Sequence, residues 1–269
     1  MGDRIQKQAF LIATSAADDA SYLALDDLAS VLASHPGTRV VGGHMVSLLA
    51  AAFPSPNLVE RRTNDADAGI PVELAGSGAM HGELVANGYA ATSGNSYEKR
   101  RESLPSSTID LLIPAFNGTF ASIEVGERAF DASPGLGLVV DNENGIDVEA
   151  SMTLRDGTEL QTAVTVPTLE AAFVVKAYAW RDRHPVTIKD AVDLSNLLAI
   201  LDHHGAEAVG GWKLSTPQSS GTRQEAQQIA EQAATWADSG RLSKASGVDP
   251  RLFAVLLRKH VARMGPQAP

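Results

Sequence analysis

The chain has 269 residues, 44% of them apolar and 20% charged, which is enough for one large domain or two modest ones with their own cores. It contains no cysteine, which excludes disulfides, thiolate zinc sites and thiol nucleophiles and leaves carboxylate, imidazole and water as metal ligands. The formal net charge of -10 argues against a broad electropositive surface, though not against a local basic groove, and an acidic enzyme suits a cationic small molecule as well.

The start Met1-Gly2-Asp3-Arg4-Ile5-Gln6-Lys7 lacks the basic-then-apolar order of a secretory signal, and no window approaches the length of a membrane span, so a cytoplasmic chain with no membrane partner is expected. Over residues 17–34, Leu23, Leu25, Leu28, Val31 and Leu32 recur near helical spacing with Asp26 and Asp27 on the other side, which predicts an amphipathic helix. His35-Pro36-Gly37 breaks it. Arg39-Val40-Val41 reads as a short strand, and Gly42-Gly43 opens a second helix that runs to about Ala52 before Phe53-Pro54-Ser55-Pro56 stops it. Residues 59–67 read as another strand. Ala66, Ala68 and Gly69 are weak strand formers, so this strand is expected to end early and to orient Asp67 less well than Asp65.

Residues 76–102 are rich in Gly, Ser and Asn and carry the basic cluster Lys99-Arg100-Arg101, which suggests a mobile loop flanking a site. Thr108-Ile109-Asp110-Leu111-Leu112-Ile113-Pro114 is an apolar run with a single carboxylate, read as a central strand. The runs Ser122-Ile123-Glu124-Val125, Leu138-Val139-Val140 and Leu160-Gln161-Thr162-Ala163-Val164 are separated by Pro134-Gly135, Asn142-Glu143-Asn144-Gly145 and Asp156-Gly157, and read as hairpins extending the sheet. Past Pro167 the periodicity becomes helical over 168–180, 187–203, 222–237 and 250–264, with Gly205 and Gly240 placed to end helices. The expected division is therefore 1–166 and 167–269, with a ligand in the cleft between them.

Two carboxylates separated by one residue on a strand point to the same face, so Asp65 and Asp67 can converge on one cation, and Asp110 on a neighbouring strand can complete the set. Such a cluster repels itself unless a divalent ion neutralises it, and Mg2+ held by carboxylates plus substrate phosphates is the usual solution. Two ions would clamp the attacking and departing oxygens of an in-line phosphoryl or nucleotidyl displacement. Gly42-Gly43 at a strand-to-helix turn would bring backbone N–H groups and the positive helix end to nucleotide phosphates.

The order strand, Gly-Gly, helix, Asp-x-Asp and apolar-Asp-apolar resembles the DNA polymerase beta-like nucleotidyltransferase superfamily. A closer resemblance, over roughly residues 40–194, is to the AbiEii/MenT-type nucleotidyltransferase family. It rests on Gly42-Gly43, on Arg62-Thr63-Asn64-Asp65-Ala66-Asp67 set against that family's Arg-x-Thr-x-Asp-x-Asp, and on Lys176-Ala177-Tyr178-Ala179-Trp180-Arg181-Asp182-Arg183 leading to Lys189-Asp190-Ala191-Val192-Asp193. The resemblance implies an α+β fold, with a polymerase-beta-like mixed sheet and helices followed by a mainly helical C-terminal part. It implies Mg2+-dependent transfer of a nucleotide from a nucleoside triphosphate to an RNA acceptor, the tRNA 3′ end in several toxins of toxin–antitoxin pairs, whose antitoxin would be a protein partner. Asp65 and Asp67 would hold metal with Asp110, Lys176 would contact the triphosphate, and Asp190 or Asp193, at i and i+3 on one helix face, would supply a further carboxylate, Asp190 being slightly preferred. Gly42, Gly43, Arg62, Thr63, Arg183 and Lys189 would join Lys176 around the nucleotide.

Other features carry less. His203-His204 beside Gly205 reads as a helix end, Gly76-Ser77-Gly78 as loop and Asn117-Gly118-Thr119 as a chance sequon. Arg251, Arg258, Lys259 and Arg263 give the last helix a basic side that is either solvated or meets RNA phosphates. Two rival readings stand beside RNA modification: an antibiotic-type nucleotidyltransferase acting on a small cationic acceptor, and a catalytically silent nucleotide-binding member.

Overall fold

The computed structural model describes residues 4–140, 145–242 and 247–262. The chain divides into two compact units: Met1–Ala52 with Arg62–Pro167, and Phe53–Arg61 with Thr168–Pro269. Residues 53–61 therefore leave the domain to which their position in the chain assigns them, and group with the C-terminal helices.

The first unit is α+β. Its elements are β1 (Ile5–Ile12), α1 (Ala16–Leu32), β2 (Arg39–Val40), α2 (Gly42–Ala52), β3 (Asp65–Gly69), α3 (Val72–Ser77), α4 (Ala79–Ala86), β4 (Ala90–Ala91), β5 (Ser96–Arg101), β6 (Leu104–Pro114), β7 (Ala121–Val125), β8 (Arg128–Ser133), β9 (Ile146–Thr153) and β10 (Glu159–Val166). A mixed seven-stranded sheet has the order β2-β3-β6-β5-β4, with β8 also on β6 and β7 on β8. β6 is its spine: β3 lies parallel on one side, while β5 runs antiparallel along its first part and β8 parallel along Leu112–Pro114. Alternation does the sorting. Ile109, Leu111 and Ile113 are buried in the same core as Leu28, Tyr97 and Phe130, which leaves Asp110 and Leu112 on the opposite face.

α1 begins with a reciprocal cap, in which the Ser15 hydroxyl accepts from the Asp18 amide at 3.1 Å and Asp18 accepts from the Ser15 amide at 3.0 Å. Its body packs on β3 and β6, and on β10 of a second sheet. The polar side of α1 is occupied rather than bare. Asp27 receives Tyr89, Lys99 and Arg101, and Asp26 receives the Thr162 hydroxyl.

Several expectations are corrected here. The strand expected over 59–67 starts only at Asp65 and continues through Ala66, Ala68 and Gly69, all buried. Being hydrogen-bonded between β2 and β6 overrides the low strand preference of small residues. Gly69 also has a packing reason, because a Cβ there would meet the Leu136 side chain at 3.3 Å. Residues 76–102 are not a loop: they form α4, β4 and β5, and the fully buried Tyr97 anchors β5 in the core. Gly76 and Ser77 finish α3, and Gly78, at φ +70°, makes the left-handed turn into α4. Leu138 belongs to a 3-10 turn, Leu136–Leu138, instead of a strand. The hairpin β9–β10 does not extend the large sheet. It forms a three-stranded sheet with β1, which lies parallel to β9. Asn142, Glu143 and Asn144, expected as a turn, lie outside the described residues, as do Arg263 and Met264.

The second unit is helical: α5 (Leu169–Arg183), α6 (Lys189–His204), α7 (Gly221–Asp238) and α8 (Pro250–His260). α5 is buried from Leu169 to Trp180 and packs on α6 and α7, as expected of a helix apolar almost all round. Gly205 closes α6. Residues 53–61 are tied to this unit by Asn196, whose amide accepts from the Val59 N–H at 2.8 Å and donates to the Val59 carbonyl at 2.7 Å. Among the described residues no helix is long and apolar enough to cross a membrane.

Candidate active site

In the first unit the chain from β2 turns sharply into α2. The Val41 amide donates to the Asp67 carbonyl at 2.9 Å, extending the β2–β3 ladder by one bond, and Gly42 then adopts φ +64°. The turn lies directly against the carboxylate strand. A Cβ on Gly42 would sit 1.7 Å from Asp67 Oδ2, and one on Gly43 would sit 2.5 Å from Thr63 Cβ. The first amides of α2, which precede its first internal bond from Met45 N to Val41 O, therefore open beside Asp67.

Asp65 and Asp67 share one face of β3, and Asp67 pairs in register with Asp110 on β6. One oxygen from each of the three lies within 4.8 Å of the others, and all three side chains are partly exposed. Two hydroxyls fix the arrangement: Thr63 Oγ1 donates to Asp65 Oδ1 at 2.5 Å, and Ser96 Oγ on β5 donates to Asp110 Oδ1. Burial pushes the Asp110 carboxyl above the usual carboxylate range. The charges of Asp65 and Asp131 push it further, and the Ser96 hydroxyl opposes them. Three convergent oxygen donors, one of them resisting ionisation beside its neighbours, fit a hard divalent cation such as Mg2+. The concern that Asp67 would be poorly oriented is removed, because β3 carries on for two residues beyond it.

Arg62 and Thr63 face inward partners. Arg62 pairs with Asp18, and Thr63 holds Asp65. Burial opposes ionisation of Asp18, but hydrogen bonds from Thr14 and Ser15 and the Arg62 charge outweigh it and hold the carboxyl below the usual range.

The second unit gathers Lys176 on α5 with Asp190 and Asp193 on α6. Lys176 Nζ is 2.7 Å from Asp193 Oδ2 and 3.7 Å from Asp190 Oδ1. Both aspartates point inward, as their i, i+3 spacing allows, and both lie beside Lys176. Arg183 forks onto Asp190 at 2.7 and 3.0 Å, and Arg61 Nε reaches Asp193 Oδ1 at 2.9 Å. Lys189, at the start of α6, is exposed.

Two contributors escaped the sequence reading. Arg61, not Arg62, stands two residues before Thr63, and its guanidinium reaches Asp193. Asp131 on β8 pairs in register with Leu112, which puts it on the Asp110 face, and Asn95 Nδ2 lies 3.5 Å from its Oδ2. Its signal in the sequence is an Asp after Phe130 in a short alternating strand. Four of the basic residues make ion pairs: Lys99 and Arg101 with Asp27, Arg258 with Asp238 and Lys259 with Asp202.

No family model matches the chain, and no curated protein matches it. Among solved structures it is similar to the antibiotic-resistance factor ANT(2'')-Ia in solution, at 13% identity with 84% of this chain and 100% of that one covered and a TM-score of 0.43. It is similar to ANT(2'')-Ia crystallised with adenylyl-2''-tobramycin, at 16% identity, 70% and 91% coverage and a TM-score of 0.38. An antigenic nucleotidyltransferase-like protein from Paracoccidioides brasiliensis matches at 14% identity, 88% and 94% coverage and a TM-score of 0.40. Identities of this size fix no activity, and the chemistry follows from the side chains.

Proposed function

We propose that the chain is a Mg2+-dependent nucleotidyltransferase of the polymerase-beta-like kind, the closer resemblance being to AbiEii/MenT-type enzymes. The observation that carries this is the convergence of Asp65, Asp67 and Asp110 beside a glycine turn that has no room for a Cβ. When bound there, Mg2+ supplies charge neutralisation for the triphosphate and for the entering and leaving oxygens. Asp65, Asp67 and Asp110 would hold the ion. The Gly42 and Gly43 amides and the positive end of α2 receive phosphate oxygens. Lys176 takes negative charge on the triphosphate, with Arg183 and Lys189 adding cations around it. Thr63 and Ser96 keep the carboxylates oriented. An acceptor hydroxyl would attack the α-phosphorus, its proton passing to solvent as the bond to pyrophosphate breaks and pyrophosphate leaves.

The acceptor that the resemblance implies is RNA, the tRNA 3′ end, with the chain as a toxin restrained by a cognate antitoxin. A second reading, a small cationic acceptor, gains from the pairing of Lys99, Arg101, Arg258 and Lys259 with carboxylates and from Asp131 on the Asp110 face. Each radiolabelled triphosphate is offered with Mg2+ to total tRNA and to a set of polyamino alcohols, and the product is weighed by mass spectrometry. Asp65→Ala and Lys176→Ala are expected to abolish transfer, and undiminished transfer by Asp65→Ala would sink the assignment. An RNA acceptor predicts binding that weakens steeply with salt. Triphosphate binding with no product on either acceptor would identify a silent member instead.

A further inference from the structure

We infer that Arg61 is a positioning residue whose guanidinium keeps the buried Asp193 balanced, so that Lys176 can turn from the two aspartates to an anionic substrate. The inference rests on the assignment of Lys176 to the triphosphate.

The charge count comes first. Lys176, Arg61 and Arg183 bring three cations to the two carboxylates Asp190 and Asp193. The three cations are not equivalent. Arg183 occupies both oxygens of Asp190 with its fork, and Arg61 occupies Oδ1 of Asp193. Lys176 has one close contact, at 2.7 Å to Asp193 Oδ2, while Asp190 at 3.7 Å is beyond hydrogen-bond distance. An ammonium carries three donors on a flexible four-carbon stem, whereas a guanidinium is a fixed planar fork. Lys176 is therefore the cation with donors to spare, although its side chain is 5% exposed against 12% for Arg61 and 56% for Arg183.

Burial then sets the condition for movement. Asp193 is 0% exposed and Asp190 1%, and a buried carboxylate stripped of its partner is strongly unfavourable. If Lys176 departs, Arg183 still neutralises Asp190 and Arg61 still neutralises Asp193, so two balanced pairs remain. Without Arg61, departure of Lys176 would strand Asp193, and the lysine would be locked in place. Arg61 thus acts on the substrate through Asp193 and Lys176 without touching it.

The test is equilibrium binding, by calorimetry with Mg2+, of the α,β-methylene analogues of ATP, CTP, GTP and UTP, which cannot transfer their nucleotide. Arg61→Gln is expected to weaken the preferred analogue at least tenfold, Arg61→Lys to recover part of the loss, and Arg61→Gln with Asp193→Asn to bind within about threefold of Asp193→Asn alone. The double variant decides, since with no charge at 193 there is nothing left to strand. A merely structural Arg61 would make the double variant the worst of the set. Circular dichroism identifies any variant that does not fold, and Arg61→Lys, which keeps the charge, then carries the comparison with the double variant. Unchanged binding in Arg61→Gln, or additive losses in the double variant, overturns the inference alone. Failure of the wild-type chain to bind any of the four analogues overturns the nucleotidyltransferase reading and this inference with it.

Discussion

Replacing Gly42 by alanine probes the glycine turn in two separable ways. A left-handed φ of +64° costs a non-glycine residue about 1–2 kcal/mol. The new methyl would also sit 1.7 Å from Asp67 Oδ2 and 2.6 Å from Asp67 Cγ, so the carboxylate must turn away or the β2–α2 corner must shift, an overpacking cost of about 1–3 kcal/mol. Gly42→Ala should therefore lose about 2–5 kcal/mol, a large share of the roughly 5–15 kcal/mol that hold a typical domain folded. If Asp67 yields by rotating, part of that cost appears instead as at least a tenfold loss of Mn2+ affinity, because one of three ligands is turned out. Urea unfolding monitored by circular dichroism measures the first quantity, and calorimetric Mn2+ titration the second. The variant Gly42→Ala with Asp67→Ala removes the clash and should retain only the backbone cost, about 1–2 kcal/mol relative to Asp67→Ala. Wild-type stability together with wild-type Mn2+ affinity in Gly42→Ala would refute the contact between the turn and the carboxylate.

Three further outcomes are expected. Because the folded-state pKa of Asp110 is raised, its contribution favours folding below the usual carboxylate pKa and is lost as pH rises through the folded value, so the charged triad costs stability at neutral pH without metal; Asp110→Asn should then raise the Tm of the metal-free chain and blunt the Tm increase given by Mn2+, which for wild type corresponds to about 2.7 kcal/mol at a hundredfold excess over Kd. A lower metal-free Tm in that variant would contradict the repulsion. Asp18 has the opposite sign: its depressed pKa adds stability above the usual carboxylate pKa that is lost as pH falls through the folded value, so Asp18→Asn should cost about 1.5–3 kcal/mol at pH 7 and converge with wild type in acid, as urea unfolding at the two pH values will show. Asn196→Ala removes both hydrogen bonds to Val59 and should cost about 1–3 kcal/mol while exposing residues 53–61 to limited proteolysis; unchanged cleavage kinetics would argue that this segment is held by other contacts.

Local signals foretold the parts of the molecule whose causes are local. The carboxylate triad was legible because period-two geometry places Asp65 and Asp67 on one face, and because one Asp in the apolar run around Asp110 marks the exposed face of a buried strand. The four C-terminal helices were legible from their apolar spacing. What escaped has distant causes. β1 alternates Ile5, Lys7, Ala9 and Leu11 with more exposed Gln6, Gln8, Phe10 and Ile12, but its partner β9 lies far along the chain, and nothing nearby announces the pairing. Residues 76–102 have loop-like composition, and only the burial of Tyr97 against a core assembled elsewhere turns part of them into a strand. The ion pairs of Lys99, Arg101, Arg258 and Lys259 were not legible because their partners, Asp27, Asp238 and Asp202, are remote in sequence.

The excursion of residues 53–61 bears on how the chain is made and taken apart. The backbone leaves the first unit after Ala52, returns at Arg62 and leaves again at Thr168, so no single cut separates the two units. During synthesis this nine-residue stretch emerges well before α6, and the N–H and C=O of Val59 must wait in water until Asn196 arrives. A fragment stopping at Pro167 would retain the stretch without its partners, and one starting at Thr168 would lack Arg61 beside Asp193 and Val59 beside Asn196. Dissection of this protein therefore calls for a spliced or permuted chain, in which residues 53–61 travel with the helices they belong to.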